Sequence, residues 1–193
     1  MRSERRLARL EAVIRRRQPD LTVVMEDIHD PHNVSAVIRS CDAAGIVEVQ
    51  LLYRVEKFPR IGKKSSASAG KWVGRREFRA VDQCYAKLRE EGFKIYATQP
   101  AEGAVSLYDI DMTDKIAFVF GNEHRGVTEE AVRSADGIVQ IPMMGMIQSL
   151  NVSVACAVTL FEALRQRSCK GIYDTPKFPE EQLNHLLKEW AMK

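Results

Sequence analysis

No stretch of this 193-residue chain stays apolar for the roughly 18 residues that a membrane-spanning helix needs. The basic N-terminus lacks the apolar core and small-residue cleavage pattern of a secretory signal. Cysteine is scarce: Cys41, Cys84, Cys156 and Cys169 form no CxxC pair, and each falls in or at the end of a predicted helix. The reading is a reduced, cytoplasmic protein with no disulfide framework and no zinc site. His29, His32, His124 and His185 show no ligand spacing, so no metal is expected. Neither GxGxxG nor GxxxxGK[ST] occurs, which removes the fingerprints of the usual dinucleotide and P-loop sites. Internal repeats and low-complexity tracts are also missing.

What is present reads as an ordinary globular chain, 45% hydrophobic and 28% charged. Its length fits one domain with a small appendage. The net charge is only +3, but Arg2, Arg5, Arg6, Arg9, Arg15, Arg16 and Arg17 crowd the first 17 residues against Glu4 and Glu11. That asymmetry points to a polyanionic partner.

The periodicity predicts a helix over 3–17 with Leu7, Leu10 and Ile14 as its apolar stripe. A buried strand follows at 21–25, then a helix over 34–45 that Asn33 could cap, then a strand over 47–52. Residues 54–70, basic and rich in serine, alanine and glycine, read as a mobile surface loop. Further strands are expected at 75–81, 93–98, 116–120 and 137–141, and helices at 82–91, 128–134, 152–168 and 179–190; the stretch 105–114 fits neither. The alternation of strands and helices implies an α/β fold with a parallel sheet flanked by helices. Three parts are expected: a basic helix over 1–19, a main domain over 20–168 and a helical extension over 169–193.

In such a sheet ligands sit beyond the carboxyl ends of the strands. Two loops there draw attention. One is Gly121-Asn122-Glu123-His124-Arg125-Gly126, after the strand Ile116–Phe120. The other runs from Ile141 through Met143, Met144, Gly145 and Met146 to Gln148-Ser149-Leu150-Asn151, where a helix starts with Asn151 as cap. The second loop sets many backbone N–H and C=O groups beside apolar walls, which suits an adenosine-type ligand.

This second loop resembles, almost residue for residue, the third motif of the SPOUT RNA methyltransferases. Phe120 to Val127 resembles the second motif, FGxExxGV. Asn33 and Arg39, in HNVSAVIRSCDA, match the first. The wording Cys41-Asp42-Ala43 and Lys71-Trp72-Val73 is similar to the TrmH branch, although Ser65 to Gly70 is poorer in glycine than that branch leads one to expect. The resemblance implies a C-terminal trefoil knot, S-adenosyl-L-methionine as cofactor, a tRNA substrate and a homodimer whose active site is completed across the interface. It implies methyl transfer to the ribose 2′-OH of guanosine 18 in the tRNA D-loop. The alternatives are another RNA site (the tRNA wobble nucleotide or an rRNA guanosine) or a non-catalytic RNA-binding protein of the same fold. A short basic N-terminal helix favours tRNA over rRNA.

The resemblance makes Arg39 the central catalytic candidate. Because a guanidinium is a poor proton acceptor, its expected role is to hold a phosphate and to polarise and orient the hydroxyl. Asn33, Glu123, Ser149 and Asn151 would complete the reacting group. Thr98, Gly121, Ile141, Met146 and Leu150 would hold the cofactor. Arg5, Arg6, Arg9, His32, Lys71, Arg165 and Arg167 would contact RNA phosphates, which dominate affinity.

Overall fold

The computed structural model describes residues 4–59 and 68–193. Among these residues, seven parallel strands form one sheet in the order β3-β2-β1-β6-β4-β7-β5. They are β1 (Leu21–Glu26), β2 (Glu48–Leu52), β3 (Gly74–Phe78), β4 (Lys94–Thr98), β5 (Val105–Ser106), β6 (Ile116–Phe120) and β7 (Gly137–Gln140). The helices are α1 (Glu4–Arg15), α2 (Pro31–Ala43), α3 (Val81–Glu90), α4 (Glu129–Ser134), α5 (Val152–Cys169) and α6 (Glu180–Ala191).

Strand alternation divides the core in two. Leu21, Val23 and Met25 of β1 and Ile116, Phe118 and Phe120 of β6 face one side, with α2 and α5 residues such as Val37, Cys41, Cys156 and Leu160. Val24 of β1, Ala117 and Val119 of β6 and Ile95 and Ala97 of β4 face the other, with Cys84, Tyr85 and Leu88 of α3 and Ala131 of α4. Central strands covered on both faces are continuous apolar runs, which is why β1 and β6 are the most legible strands in the sequence.

The ends of the chain meet. Leu10 and Ile14 of α1 are buried with Leu183 and Trp190 of α6, and Trp72 packs at a tilt on Trp190 with ring centroids 4.9 Å apart. Arg17 is buried there too. It pairs with Asp42, donates to the Ile46 carbonyl at 2.8 Å and lies over the Trp190 ring. Arg15 is held by Glu11 and Glu180. The basic cluster is therefore smaller than it looks in sequence: Arg5, Arg6, Arg9 and Arg16 are exposed without an acidic partner among the described residues.

Several boundaries differ from the expectation for local reasons. Helix α2 begins three residues early. Its N-cap is Asp30, whose side chain accepts from the His32 N–H, and Pro31 occupies the first turn, where its missing N–H costs nothing. Asn33 lies inside the first turn and is not the cap. The 105–114 stretch resolves into the two-residue edge strand β5 and a short 3-10 turn at Leu107–Asp109. Of the loop expected over 54–70, residues 60–67 lie outside the described residues, and Ala69–Lys71 form a 3-10 turn.

Candidate active site

A cleft of about 700 Å3 opens at the carboxyl ends of β4, β6 and β7, beside the place where the chain's progress across the sheet reverses. Its walls come from both loops singled out above. Thr98, Gly121, Glu123, Ile141, Ser149, Leu150 and Asn151 all line it.

The Gly121–Gly126 loop folds tightly on itself. Asn122 donates from its backbone to the Gly126 carbonyl and receives the Gly126 N–H in return. Its side chain accepts from the His124 and Arg125 N–H groups and donates to the Asp27 carbonyl at 2.8 Å. A β-carbon on Gly121 would fall 2.1 Å from Gly126 backbone atoms, so only glycine permits this fold.

The loop presents Glu123 to the start of α2. Glu123 Oε2 accepts from the His29 N–H at 2.9 Å; Oε1 accepts from the Asp30 N–H at 3.2 Å and from Asn33 Nδ2 at 2.8 Å. Asn33 Oδ1 then accepts from Asn151 Nδ2 at 3.2 Å, and Asn151 Oδ1 accepts from the Ser153 N–H, capping α5. One chain of hydrogen bonds thus joins three loops distant in sequence. Burial pushes the Glu123 carboxyl up, but its Asn33 and backbone donors outweigh that and hold it below the usual range. A carboxylate so saturated with donors is a positioning group and a poor proton acceptor.

The second loop offers a different surface. From Pro142 to Ser149, no backbone N–H or C=O is paired with another described group, beside apolar walls from Leu107, Ile141 and Leu150. Unpaired backbone groups next to apolar surface suit a nucleoside, whose base carries both a flat face and a polar edge. The volume lies within the roughly 300–1,000 Å3 usual for small-molecule sites. The residues present therefore fit S-adenosyl-L-methionine.

Three expected residues stand elsewhere. Met146 is fully exposed and does not line the cleft; Met143 does. Arg167 is a correction: its side chain is wholly buried, bound to Asp20, Gln18 and the carbonyls of Met112 and Asp114, and cannot reach RNA. Arg39 is exposed on α2, makes no hydrogen bond or ion pair among the described residues, and does not line the cleft. It lies six residues beyond Asn33, about 9 Å further along the helix and on a different face. Arg165 is exposed but tied to Glu162. Thr98 reaches the cleft, with its hydroxyl donated to the Val119 carbonyl. His32 and Lys71 are exposed. Asn122 and Arg125, in the loop singled out from the sequence but given no individual role there, also line the cleft; an asparagine directly before a turn was the available signal for the first.

The model of the SpoU rRNA methylase family matches residues 20–161. The chain belongs to this family. It is 46% identical over its whole length to a "tRNA (guanosine(18)-2′-O)-methyltransferase" of Thermus thermophilus, covering 98% of that protein. It is 42% identical over 95% of its length to one from Escherichia coli, covering 81% of it. The crystal structure of an A. aeolicus TrmH/SpoU tRNA modifying enzyme superposes with a TM-score of 0.91 at 39% identity, over 98% of this chain and 96% of that one.

Proposed function

We propose that this protein transfers a methyl group from S-adenosyl-L-methionine to the 2′-OH of guanosine 18 in the tRNA D-loop. The observation that carries the reading is the hydrogen-bonded chain Glu123–Asn33–Asn151, which gathers the three motif loops at the rim of a nucleoside-sized cleft. Similarity to the guanosine-18 enzymes runs through α1 and α6. Similarity to a 23S rRNA guanosine methyltransferase of Xanthomonas axonopodis stops at 76% of the chain. The family model spans residues 20–161 and leaves α1 and α6 outside it.

The cofactor supplies a methyl group on a sulfonium centre, ready for direct displacement. The protein supplies position: the unpaired backbone of 142–149 orients the nucleoside part, and Ser149 and Asn151 line the side where a ribose enters. Glu123 holds Asn33 and α2 in register. Arg39 clamps a substrate phosphate and polarises the hydroxyl, whose proton passes to solvent or to that phosphate. Arg5, Arg6, Arg9, Arg16, His32, Lys71 and Arg165 supply a cationic track for the tRNA backbone.

The working unit in this reading is a homodimer in the cytoplasm. Helix α5 exposes Val154 and Phe161, seven residues apart, and the preceding loop exposes Met144, Met146 and Ile147. Such an apolar stripe calls for a cover. A second copy packed on α5 brings the neighbouring α2 with it, and Arg39 of the partner subunit then enters the cleft, whose own arginine, Arg125, is tied to Glu56.

The test is methyl transfer from labelled cofactor to tRNA and rRNA, with the modified nucleotide mapped. Label at guanosine 18 is expected. Label at position 34, or only in rRNA, refutes the substrate; no label on any RNA refutes the activity.

A further inference from the structure

Beyond the cleft, at the same end of the sheet, one arginine is built into an unusual setting. Tyr53, directly after β2, is fully buried and donates its hydroxyl to the Ile28 carbonyl at 3.0 Å. The Phe58 ring packs on it with centroids 5.6 Å apart. The Arg79 guanidinium, directly after β3, lies over Phe58 at 3.9 Å from the ring centroid, and its Nη1 donates to the Tyr53 carbonyl at 3.0 Å. The guanidinium is thus held against an aromatic ring on one side and to a carbonyl through one nitrogen.

Arg79 is exposed and has no carboxylate partner among the described residues. That distinguishes it from Arg54, Arg76, Arg89, Arg125, Arg133 and Arg165, each paired with an acid. A guanidinium is planar, weakly hydrated and stacks on π-faces, and one already held in a single orientation loses little freedom on binding. Unpaired RNA bases are recognised by stacking on aromatic rings and arginine planes. Strand β3 stands three strands from β6, about 14 Å at the usual spacing. Arg79 therefore sits beside the cleft at a distance suited to a nucleotide near the target, and not to the target itself.

We propose that Arg79, laid on Phe58, is a stacking platform for a base of the single-stranded RNA loop that carries the modified nucleotide. The inference rests on the RNA-substrate reading above. It differs from a phosphate contact in one decisive respect: a phosphate needs charge, whereas a base needs the plane. Lysine keeps the charge and loses the plane.

The experiment uses tRNA transcripts with 2-aminopurine placed singly around the D-loop, titrated with wild-type protein, Arg79→Lys, Arg79→Ala and Phe58→Leu, with thermal unfolding as a fold control. Wild-type protein quenches one position through stacking; both Arg79 variants abolish that quench and weaken tRNA binding by about tenfold, a loss typical of one stacked base. Cofactor affinity stays unchanged, and Phe58→Leu gives a partial loss. Full rescue by Arg79→Lys overturns the platform in favour of a phosphate contact. Absence of quenching at every D-loop position overturns it as well. Binding with position-specific quenching but without methyl transfer would refute the activity and support the platform, so the two failures are distinct.

Discussion

Replacing Arg167 with alanine removes a group that looks, in sequence, like a candidate for RNA contact. In the fold it binds the interior. Its Nε donates to the Met112 carbonyl at 2.9 Å, Nη1 to Gln18 Oε1 at 3.0 Å and to Asp20 Oδ1 at 2.6 Å, and Nη2 to the carbonyls of Asp20 and Asp114. The end of α5 is thereby fastened to the start of β1 and to the turn before β6. Breaking one side of a buried ion pair costs about 3–5 kcal/mol. Asp20 keeps Lys177 at 3.0 Å and is partly exposed, which places Arg167→Ala near the lower end, at about 3 kcal/mol. For a chain of this size that lowers Tm by roughly 10 °C. Arg165→Ala, at an exposed pair with Glu162, leaves the melting temperature close to wild type. Thermal unfolding followed by circular dichroism, beside filter binding of tRNA, separates the two. An Arg167→Ala protein that melts with wild type yet has lost tRNA affinity would refute the burial argument.

Four further outcomes follow from the same geometry. Glu123→Gln keeps the shape but turns one acceptor into a donor, set either against the His29 N–H or against the Asp30 N–H and the Asn33 amide; methyl transfer falls by roughly ten- to a hundredfold, a loss in proportion to a mispositioned group, and single-turnover rates check it. Phe161→Glu yields a folded monomer by sedimentation with activity lost; a dimer of wild-type activity would contradict the α5 interface. The carboxyls of Glu123 and Asp20 titrate below their ordinary values in the fold, Glu123 through its Asn33 and backbone donors against burial, Asp20 through Arg167 and Lys177 against burial. Their contribution is therefore complete above the ordinary carboxylate range and is lost as pH falls below about 4.5 through the folded values. Urea midpoints should drop on acidification; a rise would contradict the assignment. Arg5→Ala with Arg9→Ala weakens tRNA binding and flattens its salt dependence by about two charges, measured as the slope of log affinity against log salt.

The strands β1 and β6 and the helices α5 and α6 could be read directly, because burial on both faces leaves a continuous apolar run and burial of one stripe leaves a helical period. The two cleft loops were legible through their glycine, asparagine and methionine content. What could not be read was pairing over distance. Nothing near Arg17 or Arg167 in the chain announces Asp42 or Asp20 as partners, so both arginines looked like surface cations. The docking of α1 on α6 joins the two ends of the sequence, and the Glu123–Asn33–Asn151 chain spans more than a hundred residues; neither leaves a local pattern. Arg39 was found through its motif alone. Periodicity says nothing of a side chain whose site lies outside its own helix's contacts.

The most direct test of the account is the single-turnover rate of 2′-O-methylguanosine formation at position 18 of a tRNA transcript by Arg39→Ala protein, with cofactor and tRNA saturating and wild type alongside. The account predicts a rate reduced at least about a hundredfold with cofactor and tRNA binding retained. A rate equal to wild type would remove Arg39 from the chemistry and contradict the proposed assembly of the active site.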